Sequence, residues 1–162
     1  MHAKKLRIMK GIRTDIKTKW KNYVIKEDAE KARYHKVIRG KDNLIETIRA
    51  TGLKKGAAYT FSARVRLRIQ ETTCRKVLEL TCLDTWHTIG EEMAIAGKGD
   101  MDVFLTSAFT PPDFADESSV WNIGVSCMRP EHHYVPHDGD YFILEHVMVN
   151  EGKKPLPYID PE

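Results

Sequence analysis

Between Tyr59 and Gln70 the chain alternates without a break: Tyr59, Phe61, Ala63, Val65, Leu67 and Ile69 are apolar, and Thr60, Ser62, Arg64, Arg66, Arg68 and Gln70 lie between them. Successive side chains of a β-strand point to opposite faces of its sheet. A period of two therefore specifies a strand with an apolar face on a core and three arginines on the other side. A strand of this length with one polar face belongs to an antiparallel sheet, because parallel sheets are buried on both sides. Gly52 and Gly56 bracket the turn that feeds it. The polar face is the place to look for a ligand.

A chain of 162 residues is long enough for one sizeable core and short for two. With 41% apolar and 30% charged residues, it has the make-up of a folded domain rather than a disordered one. It holds no run of about eighteen apolar residues, so no segment is expected to span a bilayer as a helix. Residues 1–26 are rich in Lys and Arg but lack the apolar stretch of a signal peptide, which implies either an intracellular chain or a fragment of a longer secreted precursor. The three cysteines, Cys74, Cys82 and Cys127, cannot all pair with one another. Cys82 and Cys127 sit in apolar runs and read as buried free thiols.

Charge is unevenly spread. Residues 1–55 hold 17 Lys or Arg against 6 Asp or Glu, a net of +11, whereas residues 56–162 hold 9 against 17, a net of −8. A basic arm for nucleic acid is one reading. However, no zinc-finger, helix-turn-helix or RNA-recognition pattern accompanies the charge. A sheet that brings the two stretches together, with lysines guarding its edges, is the other reading.

Along the rest of the chain strands predominate. Arg13 to Ile25 reads as a strand pair, Asp28 to His35 as a helical turn, and Val37, Ile38, Leu44, Ile45 and Ile48 as strands around the turn at Gly40 to Asn43. Further strands are expected at Lys76–Asp84, Val103–Thr110, Val120–Met128 and Tyr141–Asn150, separated by turn-rich sequence that includes Gly97–Asp102. Their inward sets are Leu78, Leu80 and Cys82; Val103, Leu105, Ser107 and Phe109; and Trp121, Ile123, Val125 and Cys127. Many short strands with such spacing predict an all-β fold, a two-sheet antiparallel β-sandwich or jelly roll. Phe61, Val65, Leu67, Leu80, Leu105, Phe109, Trp121 and Ile123 are expected inside it. The organisation is one domain overall, with a basic segment 1–33 contributing strands, a sandwich over 34–151 and a tail over 152–162.

Three motifs in this order resemble carbohydrate-binding modules of families 4, 9 and 22, the β-sandwiches attached to xylanases. Gly52 to Leu67, G-L-K-K-G-A-A-Y-T-F-S-A-R-V-R-L, is similar to their G-L-K-P-G-x-x-Y-T-F-S-A-W-V-R-L; Asp102 to Pro112 is similar to W-x-x-L-S-G-x-F-T-x-P, and Phe142 to Val149 to F-Y-I-D-D-V-S-V. The resemblance spans roughly Tyr34 to Glu151. It implies a noncatalytic module that binds a β-linked polysaccharide, xylan-like or acidic, as the accessory domain of a glycoside hydrolase. The chain departs from the pattern at Asp102 and Arg64, where relatives carry aromatic residues. It departs again at Glu145 and His146, where relatives hold a structural calcium with aspartates. Histidine is a poor ligand for that hard cation, so no cofactor is expected.

Glycan binding requires aromatic planes for the C–H faces of a sugar and polar side chains for its hydroxyls on one exposed surface. The candidate ligand-binding residues are Arg64, Arg66, Glu79, Trp86 and Tyr134. Trp86, in D-T-W-H-T, reads equally as a sugar platform and as a loop-packing residue; Trp121 shares a face with Ile123 and Val125 and reads as core. Arg64 and Arg66 would grip a carboxylate or sulfate, or else pair with Glu79 and other acids on neighbouring strands. His132, His133 and His137 have no common zinc spacing, and no catalytic motif is present. The alternative to a glycan-binding module is a β-sandwich interaction or structural domain that has lost the sugar site.

Overall fold

A computed structural model describes residues 20–38, 45–69, 78–83, 87–88, 99–111, 120–127 and 139–162. Among the described residues one short helix, α1 (Lys26–Ala32), precedes eight strands: β1 (Val37–Ile38), β2 (Ile45–Thr51), β3 (Tyr59–Ile69), β4 (Leu78–Cys82), β5 (His87–Thr88), β6 (Gly99–Phe109), β7 (Val120–Cys127) and β8 (Tyr141–Glu151). They form two four-stranded antiparallel sheets, in the orders β1-β8-β3-β6 and β2-β7-β4-β5. The fold is the expected antiparallel β-sandwich.

The alternation of β3 does what its sequence dictates. Tyr59, Phe61, Ala63, Val65 and Leu67 are buried, and they meet Ile48, Trp121, Ile123 and Val125 of the second sheet in one apolar core. Of the expected core, Phe61, Val65, Leu67, Leu105, Phe109, Trp121 and Ile123 are buried. The side chains of Leu80, Cys82 and Cys127 lie outside the described part. The turn before β3 uses its glycines as expected, with φ of +79° at Gly52 and +76° at Gly56, a left-handed backbone that favours residues without a Cβ.

Two elements differ from expectation. The helix begins at Lys26 rather than Asp28 and ends at Ala32, with Ala29 and Ala32 on its buried face and Glu27 and Asp28 in its first turn, where acids suit the helix dipole. Of the expected strand pair at Arg13 to Ile25, residues 13–19 lie outside the described residues, and residues 20–25 form no strand. Val24 makes a single bridge to Ala50, and the segment runs between the open edges of β8 and β2. Tyr23 N–H donates to Val149 O (2.9 Å), and Thr51 N–H and Ile25 N–H close the other side on Tyr23 O and Arg49 O. The segment thus seals one flank of the sandwich.

Among the described residues the ion pairs Asp28–Arg49, Arg64–Asp102, Arg64–Glu145 and Arg66–Glu145 each join residues from the same part of the chain; the basic residues before Trp20 and many of the acids after Gln70 lie outside the described residues. Among the described residues no helix is long and apolar enough to cross a membrane.

Candidate functional site

The outward face of the first sheet follows from the register. Arg68 lies opposite Asp100 on β6 and Tyr141 on β8; Arg66 opposite Asp102 and Ile143; Arg64 opposite Phe104 and Glu145. Directly opposed residues of antiparallel strands point to the same side, so three rows of charge and ring cross this face. Arg64 Nη2 donates to Asp102 Oδ2 at 2.8 Å and its Nη1 lies 3.6 Å from Glu145 Oε2, while Arg66 Nε reaches Glu145 Oε1 at 3.0 Å. The hydrogen bond to Asp102, reinforced by the charges of Asp102 and Glu145, raises the Arg64 pKa. Phe104 projects among these groups with 53% of its surface exposed.

A bulge in β8 sets one wall. The pairing shifts by one residue between Ser62 and Arg64, and His146 takes a left-handed φ of +52°. Such a conformation is uncommon without glycine, and bulges re-aim side chains. The extra residue lets Glu145 face outward and Val147 inward while His146 stands exposed. Its ring stacks on Tyr158 with centroids 4.7 Å apart. Tyr158 OH donates to Asp160 Oδ1 at 2.9 Å, and burial together with that carboxylate pushes the phenol up to about 12.

Tyr158 belongs to the tail, which folds back over this face. Thr60 Oγ1 donates to Gly152 O, the Asn150 side chain holds Lys154 O and Leu156 N–H, and Trp20 Nε1 donates to Pro157 O. The tail covers the face at Thr60, Ser62, Met148 and Asn150, all of them buried, and leaves the arginine rows open. Beside it lies a trough of about 390 Å³ walled by Arg64, Asp102 and Phe104 on one side and by His146, Leu156 and Tyr158 on the other. A second trough of about 390 Å³ shares Asp102 and continues along Arg66, Ile143 and Tyr141, where Lys36 Nζ sits 4.2 Å from the Tyr141 ring centroid.

Of the candidate residues, Arg64 and Arg66 lie together on this surface. Glu79 is on β4, opposite Ser126, in the other sheet; among the described residues the carboxylates that pair with the arginines are Asp102 and Glu145. Trp86, Tyr134, His132, His133 and His137 lie outside the described residues. Glu145 and His146, which stand where the resembled modules place calcium ligands, are engaged by arginine and by Tyr158. Among the described residues no three His, Cys, Asp or Glu side chains gather as a metal site.

No family model matches the chain, and no curated protein matches it either. Among solved structures it is similar to the tripod from the baseplate of bacteriophage Tuc2009, with 13% identity over 87% of this chain and 58% of that one and a TM-score of 0.49. It is also similar to a family 16 carbohydrate-binding module, with 16% identity over 80% and 86% of the two chains and a TM-score of 0.39. A third similarity is to the CBM22-1 xylan-binding domain from Paenibacillus barcinonensis, with 9% identity over 74% and 87% and a TM-score of 0.36. The chain thus spans 58% of the length of the baseplate chain. These are likenesses of backbone course, not of site residues.

Phe104, Tyr141 and Tyr158 did not stand out as candidates in the sequence. The alternation of β6 does place Phe104 opposite in phase to Leu105 and Ser107, and so on the outer face. Tyr158, by contrast, reaches the site through a tail with no periodicity to read.

Proposed function

We propose that this chain is a noncatalytic glycan-binding module whose site is the outer face of the first sheet. The observation that carries the reading is Phe104, half exposed in the middle of a strand and surrounded by hydrogen-bonding groups in fixed positions. Its ring offers a plane to the C–H face of a pyranose. Arg64 and Arg66 are held by Asp102 and Glu145, and each guanidinium keeps N–H donors beyond those it uses there. Donors already oriented lose less freedom on binding.

The same pairing decides between ligand classes. Arg64 and Arg66 already have carboxylate partners, so the face presents oriented polar groups rather than free positive charge. A neutral β-linked glycan, such as an unsubstituted xylan-like chain, fits this better than an acidic one. Both carboxylates nearest Phe104 are tied to arginines, which supports binding without cleavage.

Affinity electrophoresis and calorimetry against neutral xylan, glucuronoxylan and a sulfated polysaccharide test the reading. Neutral polymer is expected to retard the chain at least as strongly as the acidic ones, with little change on adding salt. Phe104→Ala, with its circular dichroism unchanged, is expected to weaken binding about tenfold, or about 1.4 kcal/mol. Absence of binding across a broad glycan panel would replace this reading with that of a β-sandwich engaging another protein. Cleavage of any glycan would overturn the noncatalytic assignment.

A further inference from the structure

Strand β6 ends the first sheet, and among the described residues nothing pairs with its outer edge. It runs for 11 residues, G-D-M-D-V-F-L-T-S-A-F, with no Lys, Arg or Pro. Lys and Pro are the residues that most often keep a long edge from pairing with another chain; the charges of this strand are Asp100 and Asp102 alone. Its midpoint is Phe104, exposed on the outer face, while Met101 and Val103 on the inner face are only partly buried against the core. Among the described residues the edge therefore leaves both backbone groups and apolar side chains incompletely covered.

We infer that β6 pairs with β6 of a second copy of this chain, antiparallel and centred on Phe104. Self-complementarity identifies the partner. Full overlap of Gly99–Phe109 with itself places Phe104 opposite Phe104 of the second copy, Asp102 opposite Thr106, and Asp100 opposite Ala108. On the inner face Val103 meets Leu105 and Met101 meets Ser107. The strand's two acids, Asp100 and Asp102, thus meet no acid of the other copy, and the half-covered Met101 and Val103 gain neighbours. Centring the pair on Asp102 instead would set two carboxylates face to face, which is destabilising. The result is a continuous eight-stranded sheet in which two Phe104 rings adjoin at the twofold axis. On the glycan reading, to which this consequence alone is tied, the two sites join into one longer face. A strand-edge contact is small beside the roughly 1,600 Å² of a standard interface, so the dimer is a reversible one.

Sedimentation equilibrium of the full chain without any glycan, from micromolar to millimolar concentration, tests the inference independently of sugar binding. A monomer–dimer equilibrium is expected. Thr106→Asp, which sets a carboxylate against Asp102 of the other copy twice per dimer, is expected to weaken it at least tenfold. Thr106→Lys, which sets an ammonium there, is expected to tighten it. Thr47→Asp, on the opposite sheet, should leave it unchanged. The inference is overturned by a chain monomeric throughout this range, or by a dimer whose strength ignores the sign of the charge at Thr106.

Discussion

Asn22 shows how much of the fold can hang on one side chain. It is buried, and its amide group meets four backbone partners: Nδ2 donates to Val147 O at 2.9 Å and Ile159 O at 3.0 Å, and Oδ1 accepts from Val24 N–H at 3.1 Å and Val149 N–H at 3.2 Å. One residue thereby ties β8, the sealing segment and the tail together. Buried polar groups left without partners cost about 1–3 kcal/mol each. Asn22→Ala is therefore expected to lower the unfolding free energy by about 2 kcal/mol or more in urea titration. Asn22→Asp should cost at least as much, because it turns the donor into an acceptor facing two carbonyls; a variant as stable as the parent would remove Asn22 from this role. Nothing in K-N-Y-V announces the arrangement, since three of its four partners, Val147, Val149 and Ile159, lie more than a hundred positions away. Phe104 is different: it is legible as outward-facing from its phase in β6, but the arginine ladder around it depends on a register that one sequence does not display.

At the scale of elements, the strands were legible where packing alone decides them and misread where charge intervenes. Gly97–Asp102 carries the Gly and Asp of a turn, yet β6 already begins at Gly99, because Asp100 and Asp102 lie opposite Arg68 and Arg66 and extend the pairing. The bulge at His146 was hidden for the same reason, being a property of two strands together. Helix α1 was recognisable, but its attachment to β2 was not. That attachment has two links with opposite responses to pH. Asp28, although partly desolvated, is held below its usual 3.8 by hydrogen bonds from Arg49, whose N–H, Nε and Nη2 all reach it within 2.9 Å. Its contribution is present above pH 3.8 and is lost as pH falls through the lower folded value. Glu46, buried on the inner face and bonded to His35 Nδ1, is pushed above its usual 4.5 by desolvation that outweighs the histidine. Its effect has the reverse sign, favouring the fold below pH 4.5 and diminishing as pH rises through the raised value. Urea unfolding at a series of pH values should therefore show Glu46→Gln more stable than the parent near neutrality, with the gap closing towards pH 4. Asp28→Asn should be less stable near neutrality, with its deficit shrinking below that pH. Parallel pH profiles for the two variants would contradict this account.

Across the whole molecule, the sandwich is closed by its ends rather than by its strands. Residues 20–25 seal one flank, and the tail lies against the outer face of the first sheet at Thr60, His146 and Asn150, where Met148, on the polar side by register, is fully buried. Alternation alone would have left that side of β8 to solvent, so the tail explains why Met148 is apolar and why Asn150 beside it is buried with its amide spent on the tail backbone. The tail also supplies Tyr158 and Leu156 to the trough beside Phe104, linking stability and site. Deleting residues 153–162 uncovers Met148, a side chain whose burial is worth about 1.5–3 kcal/mol, and removes Ile159 O from Asn22. The truncated chain is expected to lose about 2 kcal/mol or more of unfolding free energy, and its Met148 to become open to oxidation by peroxide, followed by mass spectrometry. Tyr158→Ala separates the two roles: it keeps the tail's backbone contacts to Asn150 and Asn22, so it should cost far less stability than the deletion while opening one wall of the trough. Equal losses from the two changes would mean that the ring of Tyr158, and not the tail's backbone, holds the tail to the sheet.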